Sequence, residues 1–99
     1  MKNGYNVLWT DHALQELAET YSYLEEHFTK KELQKLSIEI EYTLSLISKN
    51  PSLFPLSESI GIHRVVIKKF NTMYYRVKGN SIEILSFFSN RQNPNKKKI

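Results

Sequence analysis

Two apolar stripes with helical spacing stand next to each other in the first half of the chain, and they constrain its fold more than any other feature. Their residues recur at intervals of three and four, which predicts one helix over residues 11–27 and a second over residues 30–49. Because the connection between them is so short, the two helices are expected to form an antiparallel hairpin. The stripes are formed by Leu14, Leu17, Tyr21, Leu24 and Phe28 and by Leu33, Leu36, Ile40, Leu44 and Ile47.

Local signals mark where each predicted helix begins and ends. Thr10 is expected to cap the first helix, with Asp11 in the first turn, where a negative charge suits the helix dipole. The run from Thr29 to Glu32 has the capping-box pattern, in which both side chains bind otherwise unpaired amides. Asn50-Pro51 should end the second helix, since proline cannot continue the hydrogen-bond ladder.

The rest of the chain has the pattern of short strands. Residues 5–9 form a strand candidate before the first helix, and residues 64–68, 73–78 and 82–88 form three more after an irregular stretch at 51–61. A turn is expected at residues 70–72, and Lys78-Gly79-Asn80-Ser81 is a strong hairpin turn because Gly and Asn tolerate positive φ. The near-continuous apolar character of residues 82–88 predicts a central strand, buried on both faces.

The order βααβββ predicts an α+β fold in which a helical hairpin packs on one face of a small, mainly antiparallel sheet. Ninety-nine residues make a single domain, 1–99, with room for one core, and residues 93–99 are expected to form a flexible basic tail. The basic residues should lie on the other face of the sheet. The predicted core contains Leu17, Tyr21, Leu36, Ile40, Val66 and Ile84.

Charge is divided unevenly between the two halves. Residues 1–50 hold five Lys/Arg against eight Asp/Glu, a balance of −3, and residues 51–99 hold nine against two, a balance of +7, which together give the +4 of the chain. Such asymmetry indicates a polyanionic or acidic partner for the second half, nucleic acid being the commonest. A solvated sheet face that is merely basic is the alternative. The charges concerned are Arg64, Lys68, Lys69, Arg76, Lys78, Arg91 and the run Lys96-Lys97-Lys98.

Composition also excludes several classes of protein. There is no cysteine, so thiolate chemistry and a disulfide framework are excluded. No apolar run approaches the ~20 residues that span a bilayer, so no membrane partner is expected, and a cytoplasmic location is the simplest expectation. No His, Asp or Glu residues have convincing metal-ligand spacing, and neither a metal nor a cofactor is expected.

An ordered set of segments along nearly the whole chain resembles the RelE/ParE superfamily of bacterial toxins from type II toxin–antitoxin systems. The resemblance implies a small toxin that a cognate antitoxin neutralises. It rests on Trp9-Thr10, Ala13 and Leu17, Ile47, Asn50-Pro51, the strand of Arg64, Tyr74-Tyr75-Arg76-Val77, Ile82-Glu83-Ile84-Leu85 and Asn90-Arg91-Gln92-Asn93-Pro94.

The superfamily that the chain resembles has two activities, and cleavage of mRNA on the ribosome is the one we expect. RelE-like members cleave mRNA on the ribosome, and cleavage without a metal needs a base for the 2′-hydroxyl, a cation for the phosphate and an acid for the leaving 5′-oxygen. The positions that match this nuclease scheme are Arg64, Lys68, Arg76 and Arg91. Arg64 and Lys68 are four residues apart in one predicted strand, so they are expected on the same face.

The chain departs from the nuclease pattern after Arg91, where no Tyr or His follows. Tyr74 and His63 are the remaining candidates for acid and base, although neither is at the family position, and strand alternation requires one of Tyr74 and Tyr75 to point inward. Two alternatives therefore stay open. One is a ParE-like inhibitor of DNA gyrase, which is not an enzyme, and the other is a degenerate member that only binds its antitoxin.

Two acidic partners would explain the same positive charge. The first is mRNA on the ribosome. The second is the antitoxin, whose acidic extended segment would wrap the helical hairpin and cover the basic face as it folds. Arg64 and Arg91 also have an intramolecular alternative, which is pairing with Glu58 or Glu83.

Overall fold

The computed structural model of the chain describes residues 4–57 and 61–90. Within them two helices and four strands follow the predicted order, which confirms the α+β fold. Both helices have the predicted bounds, whereas every strand differs from its predicted bounds at one or both ends. The elements are β1 (Asn6–Trp9), α1 (Asp11–His27), α2 (Lys30–Lys49), β2 (Ile62–Ile67), β3 (Asn71–Lys78) and β4 (Ser81–Ser89).

The four strands form a single mixed sheet in the order β1-β4-β3-β2. The hairpins β2–β3 and β3–β4 are antiparallel, and β1 pairs in parallel with β4 after the chain has passed through both helices. The position of β4 between β1 and β3 confirms the central strand that its apolar sequence predicts. Near its end Phe87 and Phe88, which point to opposite faces, are both buried.

Threonine caps begin both helices, as predicted. The Thr10 hydroxyl accepts a hydrogen bond from the backbone N–H of Ala13 at 3.2 Å and donates one to the carbonyl of Ile84 at 2.9 Å. The cap of α1 therefore also fastens this helix to β4. The Thr29 hydroxyl accepts from the N–H of Glu32 at 3.4 Å.

The core lies between the helices and one face of the sheet. Leu36, Ile40 and Ile84 are buried as predicted, and Leu17 and Tyr21 are partly buried against the core. The prediction for Val66 is wrong, since its side chain is 49% exposed and its neighbours Val65 and Ile67 are buried instead. The reason is strand alternation: Val66 is two residues from Arg64 and shares its outward face.

The strand predicted over residues 64–68 ends one residue earlier. Lys68 and Lys69 lie in the turn after β2 and have left-handed backbone angles, with φ of 51° and 71°. The alternation argument that places Lys68 on the face of Arg64 is therefore wrong. The turn was also predicted too late, because β3 begins at Asn71, whose buried amide donates to the carbonyl of Ile67 at 3.0 Å and closes the turn.

Beyond the end of β1, the buried carboxylate of Glu16 takes the place of this strand as hydrogen-bond acceptor along the edge of β4. β1 pairs with β4 only as far as Ile84, and beyond that point the Phe87 N–H donates to Glu16 Oε1 of α1 at 2.8 Å. The Ser86 hydroxyl donates to the same oxygen at 2.6 Å, and His12 Nε2 lies 3.3 Å from it. A β-bulge interrupts the β3–β4 register beside this site, between Tyr74 and Tyr75. Glu16 thus fixes β4 where its register changes.

Neither of the helices in the described part of the chain is long and apolar enough to cross a membrane.

Candidate nucleic-acid interface

The face of the sheet that points away from the helices is uncovered by either helix, and we call it the open face. Its side chains come from alternate strand positions, because the intervening positions are buried under the helices. Apolar and charged groups are mixed on it. The open face includes Leu8 of β1, Arg64 and Val66 of β2, Tyr74, Arg76 and Lys78 of β3, and Glu83 of β4.

Two arginines flank one tyrosine at the centre of the open face. Arg64 pairs directly with Tyr74 across the β2–β3 hairpin, and Arg76 lies two residues further along β3. Directly opposed residues in a sheet have their Cβ atoms roughly 5 Å apart, and residues two apart on one strand are separated by about 7 Å. Both guanidinium groups can therefore reach a phosphate placed over the Tyr74 ring.

Arg76 is held by a carboxylate on the neighbouring strand. Its Nε donates to Glu83 Oε1 at 2.6 Å, and the two residues are directly opposed in the β3–β4 register. This hydrogen bond from Arg76 lowers the pKa of Glu83, and the charges of Arg76 and Lys78 lower it further. Glu83 is therefore ionised at neutral pH, and it offsets part of the positive charge of the open face.

Arg64 has no such partner within the described residues. The sequence offered Glu83 as a partner for Arg64 or Arg91, but the structure pairs it with Arg76. The pairing of Arg76 with Glu83 follows from the hairpin register, which the turn residues determine. Once Lys78 and Ser81 close the hairpin turn, counting back along both strands sets Arg76 opposite Glu83. The other proposed partner, Glu58, lies outside the described residues.

The four candidate site residues do not form one cluster in the described structure. Arg64 and Arg76 lie together on the open face. Lys68 lies in the turn after β2, where it lines a small pocket with Leu24 of α1 and Glu32 of α2, on the side of the sheet that carries the helices. Arg91 lies outside the described residues.

The two adjacent tyrosines point to opposite faces, as alternation predicts. Tyr75 is fully buried under the helices, its hydroxyl donates to the carbonyl of Pro51 at 2.9 Å, and burial raises the pKa of this phenol. His63 pairs with Tyr75 and stacks on its ring, with centroids 4.9 Å apart. Its Nδ1 lies 2.8 Å from the carbonyl oxygen of Phe54. His63 therefore points away from the open face. Of the two side chains that the sequence suggests as acid or base, Tyr74 is the one that lies on that face.

The chemistry available on the open face is that of phosphate binding and proton transfer. Arg64 and Arg76 supply cations, Tyr74 supplies a phenol and Glu83 supplies an ionised carboxylate. Among residues 4–57 and 61–90 no group of three or more His, Cys, Asp or Glu side chains is placed to hold a metal ion.

Several solved structures share this fold. A chain of the chromosomal ParDE TA system from P. aeruginosa superimposes with a TM-score of 0.71 at 19% sequence identity, over 86% of this chain and 95% of that one. A chain of the E. coli DinJ–YafQ toxin–antitoxin complex gives 0.61 at 7% identity, over 92% and 98%. The YoeB dimer from Staphylococcus aureus gives 0.58 at 23% identity, over 85% and 94%.

These similarities extend over nearly the full length of both chains in each pair. No protein-family model and no curated protein sequence matches the chain. At such low identities the likeness shows a shared fold, which is the fold that the sequence resemblance implies.

Proposed function

We propose that the chain is the toxin of a type II toxin–antitoxin system and that it cleaves mRNA on the ribosome until a cognate antitoxin neutralises it. The observation that carries the proposal is the grouping of Arg64, Tyr74 and Arg76 on a sheet face that the helices of the protein leave uncovered. The fold shared with chains of toxin–antitoxin systems supports the toxin assignment.

RNA cleavage can be assigned to the groups of the open face. Arg64 and Arg76 would bind the scissile phosphate and stabilise the charge that builds on its oxygens. Glu83, which is ionised at neutral pH, would accept the proton of the 2′-hydroxyl, and the Tyr74 phenol would protonate the leaving 5′-oxygen. Arg91 follows directly after Asn90, whose N–H donates to the carbonyl of Phe70, and it stays a proposed phosphate ligand.

Two observations favour inhibition of DNA gyrase as the second candidate. Glu83 already neutralises Arg76, which weakens its hold on a phosphate. In addition, Leu8 and Val66 are about half exposed on the open face, and apolar side chains between charged ones are typical of a protein-binding surface. In this case the open face would bind a protein target, and no bond would be broken.

Growth inhibition in a bacterial host tests the toxin assignment. We expect induction of the wild-type chain to stop growth and co-expression of the adjacent short reading frame, which should encode an acidic segment, to restore it. Arg64→Ala should abolish the inhibition because it removes one of the two cations that would bind the phosphate. It should leave the fold intact because Arg64 has no ion-pair partner among the described residues. Lys49→Ala, which removes an exposed charge at the far end of α2, is the matched control and should remain toxic.

The fold of each variant must be checked by circular dichroism and by antitoxin binding, which should survive Arg64→Ala. Absence of growth inhibition by the folded wild-type chain would contradict the toxin assignment and favour a member that only binds its antitoxin. An Arg64→Ala variant that stays as toxic as the Lys49→Ala control would remove the open face from the mechanism.

A further inference from the structure

The turn between β2 and β3 holds two lysines in a backbone conformation that side chains disfavour. Lys68 and Lys69 are the non-glycine residues with positive φ in the described part of the chain. Left-handed backbone is unfavourable for residues with a Cβ and favours Gly or Asn. The next hairpin turn follows that rule, with Gly79 at a φ of 60°. Local backbone energetics therefore do not explain the lysines of the first turn.

Two further lysines lie beside this turn, at positions where a positive charge is electrostatically unfavourable. Lys30 and Lys31 are the first two residues of α2. Positive charge is unfavourable there because the helix dipole places its positive end at the N-terminus. The third residue, Glu32, lines the same small pocket as Lys68, which places the first turn of α2 next to the 68–70 turn. Four lysines thus gather at one end of the molecule.

The charges of the two lysines of the turn are not paired with a carboxylate in the described part of the chain. Beside them Phe70 is 36% exposed, with Lys69 Nζ 6.0 Å from the ring centroid. A positively charged surface with an accessible aromatic ring fits an unpaired nucleic acid strand, whose phosphates meet the cations while a base stacks on the ring.

We propose that Lys30, Lys31, Lys68, Lys69 and Phe70 form a second surface, separate from the open face, that binds single-stranded RNA. The proposal rests on the proposed function, because a toxin that cleaves mRNA has to bind single-stranded RNA. Such a surface would hold the strand at the end of the sheet while the open face acts on another part of it. RNA binding would then explain why two lysines occupy strained backbone positions in the turn.

Glycine substitution of the turn separates binding from folding. Lys68→Gly/Lys69→Gly removes the left-handed strain together with two charges, so the variant should be more heat-stable, with Tm raised on the order of 5 °C. Its affinity for RNA should nevertheless fall. For single strands the slope of log K against log salt changes by about 0.7 for each phosphate contact, so the slope should become less steep by roughly 1.4.

The control removes the same net charge from elsewhere. Lys49→Glu lowers the net charge by two at an exposed position at the far end of α2 and should leave both the affinity and the salt slope close to wild type. Phe70→Leu keeps an apolar side chain but removes the stacking ring, and it should weaken binding by about fivefold or more.

The probe is a 2′-O-methyl single-stranded oligonucleotide titrated by fluorescence anisotropy at several salt concentrations. Because this RNA cannot be cleaved, loss of binding is distinguishable from failure of the proposed nuclease activity. Glycine variants that bind like wild type, or that lose no more affinity than the control, would overturn the proposal. So would a fall in Tm, which would give the lysines a structural role, or tighter binding of a DNA duplex of equal length.

Discussion

Removing the carboxylate of Glu16 should destabilise the fold more than removing any exposed acidic residue of α1. The carboxylate accepts hydrogen bonds from the Ser86 hydroxyl at 2.6 Å and the Phe87 N–H at 2.8 Å, and its residue is 8% exposed. Both donors belong to the stretch of β4 that β1 does not reach. Glu16→Ala would leave them buried without this acceptor.

The magnitude follows from those two bonds. A hydrogen bond to a charged group contributes about 1.5–3 kcal/mol, so losing two costs roughly 3–6 kcal/mol. Relief of the cost of burying a carboxylate, and the better helix propensity of alanine, offset part of this. The expected net loss is about 2–4 kcal/mol. For a domain of this size that lowers Tm by about 10 °C or more. Glu16→Gln should fall between alanine and wild type, because its amide oxygen can still accept one of the bonds.

Thermal and urea unfolding at neutral pH, followed by circular dichroism, measure these differences. Glu25→Ala, an exposed position on the same helix, is the control and should change stability by no more than about 0.5 kcal/mol. Should Glu16→Ala unfold within about 1 kcal/mol of the control, the carboxylate would not be what holds β4 beyond the end of β1.

Three further predictions concern the two faces of the sheet. Val65→Thr should cost about 1–3 kcal/mol because it buries a hydroxyl, whereas Val66→Thr on the open face should stay within about 0.5 kcal/mol of wild type, and equal losses in urea unfolding would refute the assigned faces. The raised pKa of Tyr75 keeps its phenol protonated in the folded state above the ordinary value of 10.0, so its stabilising effect is present below pH 10.0 and is lost as the pH rises further; stability measured at alkaline pH should fall more steeply for wild type than for Tyr75→Phe. NMR titration of Glu83 should give a pKa below the ordinary 4.5 that rises towards it in Arg76→Ala, and the contribution of this pair, present at neutral pH, should disappear as the pH falls through the depressed pKa; an unchanged titration would refute the pairing.

Local signals predicted the helices to the residue, because each helix end depends on neighbours in sequence. Thr10 and Thr29 cap with their own hydroxyls, and proline follows the end of α2. The face of β2 was harder to predict. Val65, Val66 and Ile67 are all apolar, so hydrophobicity does not show which of them points inward. The charge of Arg64 shows the orientation of the strand, because a charged side chain should point to solvent. Alternation then places Val66, two residues further on, on the same outward face.

The functional surfaces were only partly predictable, because they depend on contacts between distant segments. The sequence predicted the basic residues on the face away from the helices, and this holds for Arg64 and Arg76. Alternation also placed Lys68 on the face of Arg64, but Lys68 lies in a turn because β2 ends one residue earlier than predicted. Glu16 has the sequence context of an ordinary solvent-exposed helix residue. Its role depends on Ser86, 70 residues away, which no local pattern shows.

Incubation of the purified protein with ribosomes that carry a defined mRNA, followed by primer extension, tests the central claim most directly. We predict that wild type cuts the message within codons only when ribosomes are present, and that Arg64→Ala leaves it intact. The same preparations should be assayed for inhibition of DNA supercoiling by gyrase, where neither is expected to act. Intact mRNA with every preparation, combined with inhibition of supercoiling by wild type, would contradict the nuclease and establish the gyrase inhibitor in its place.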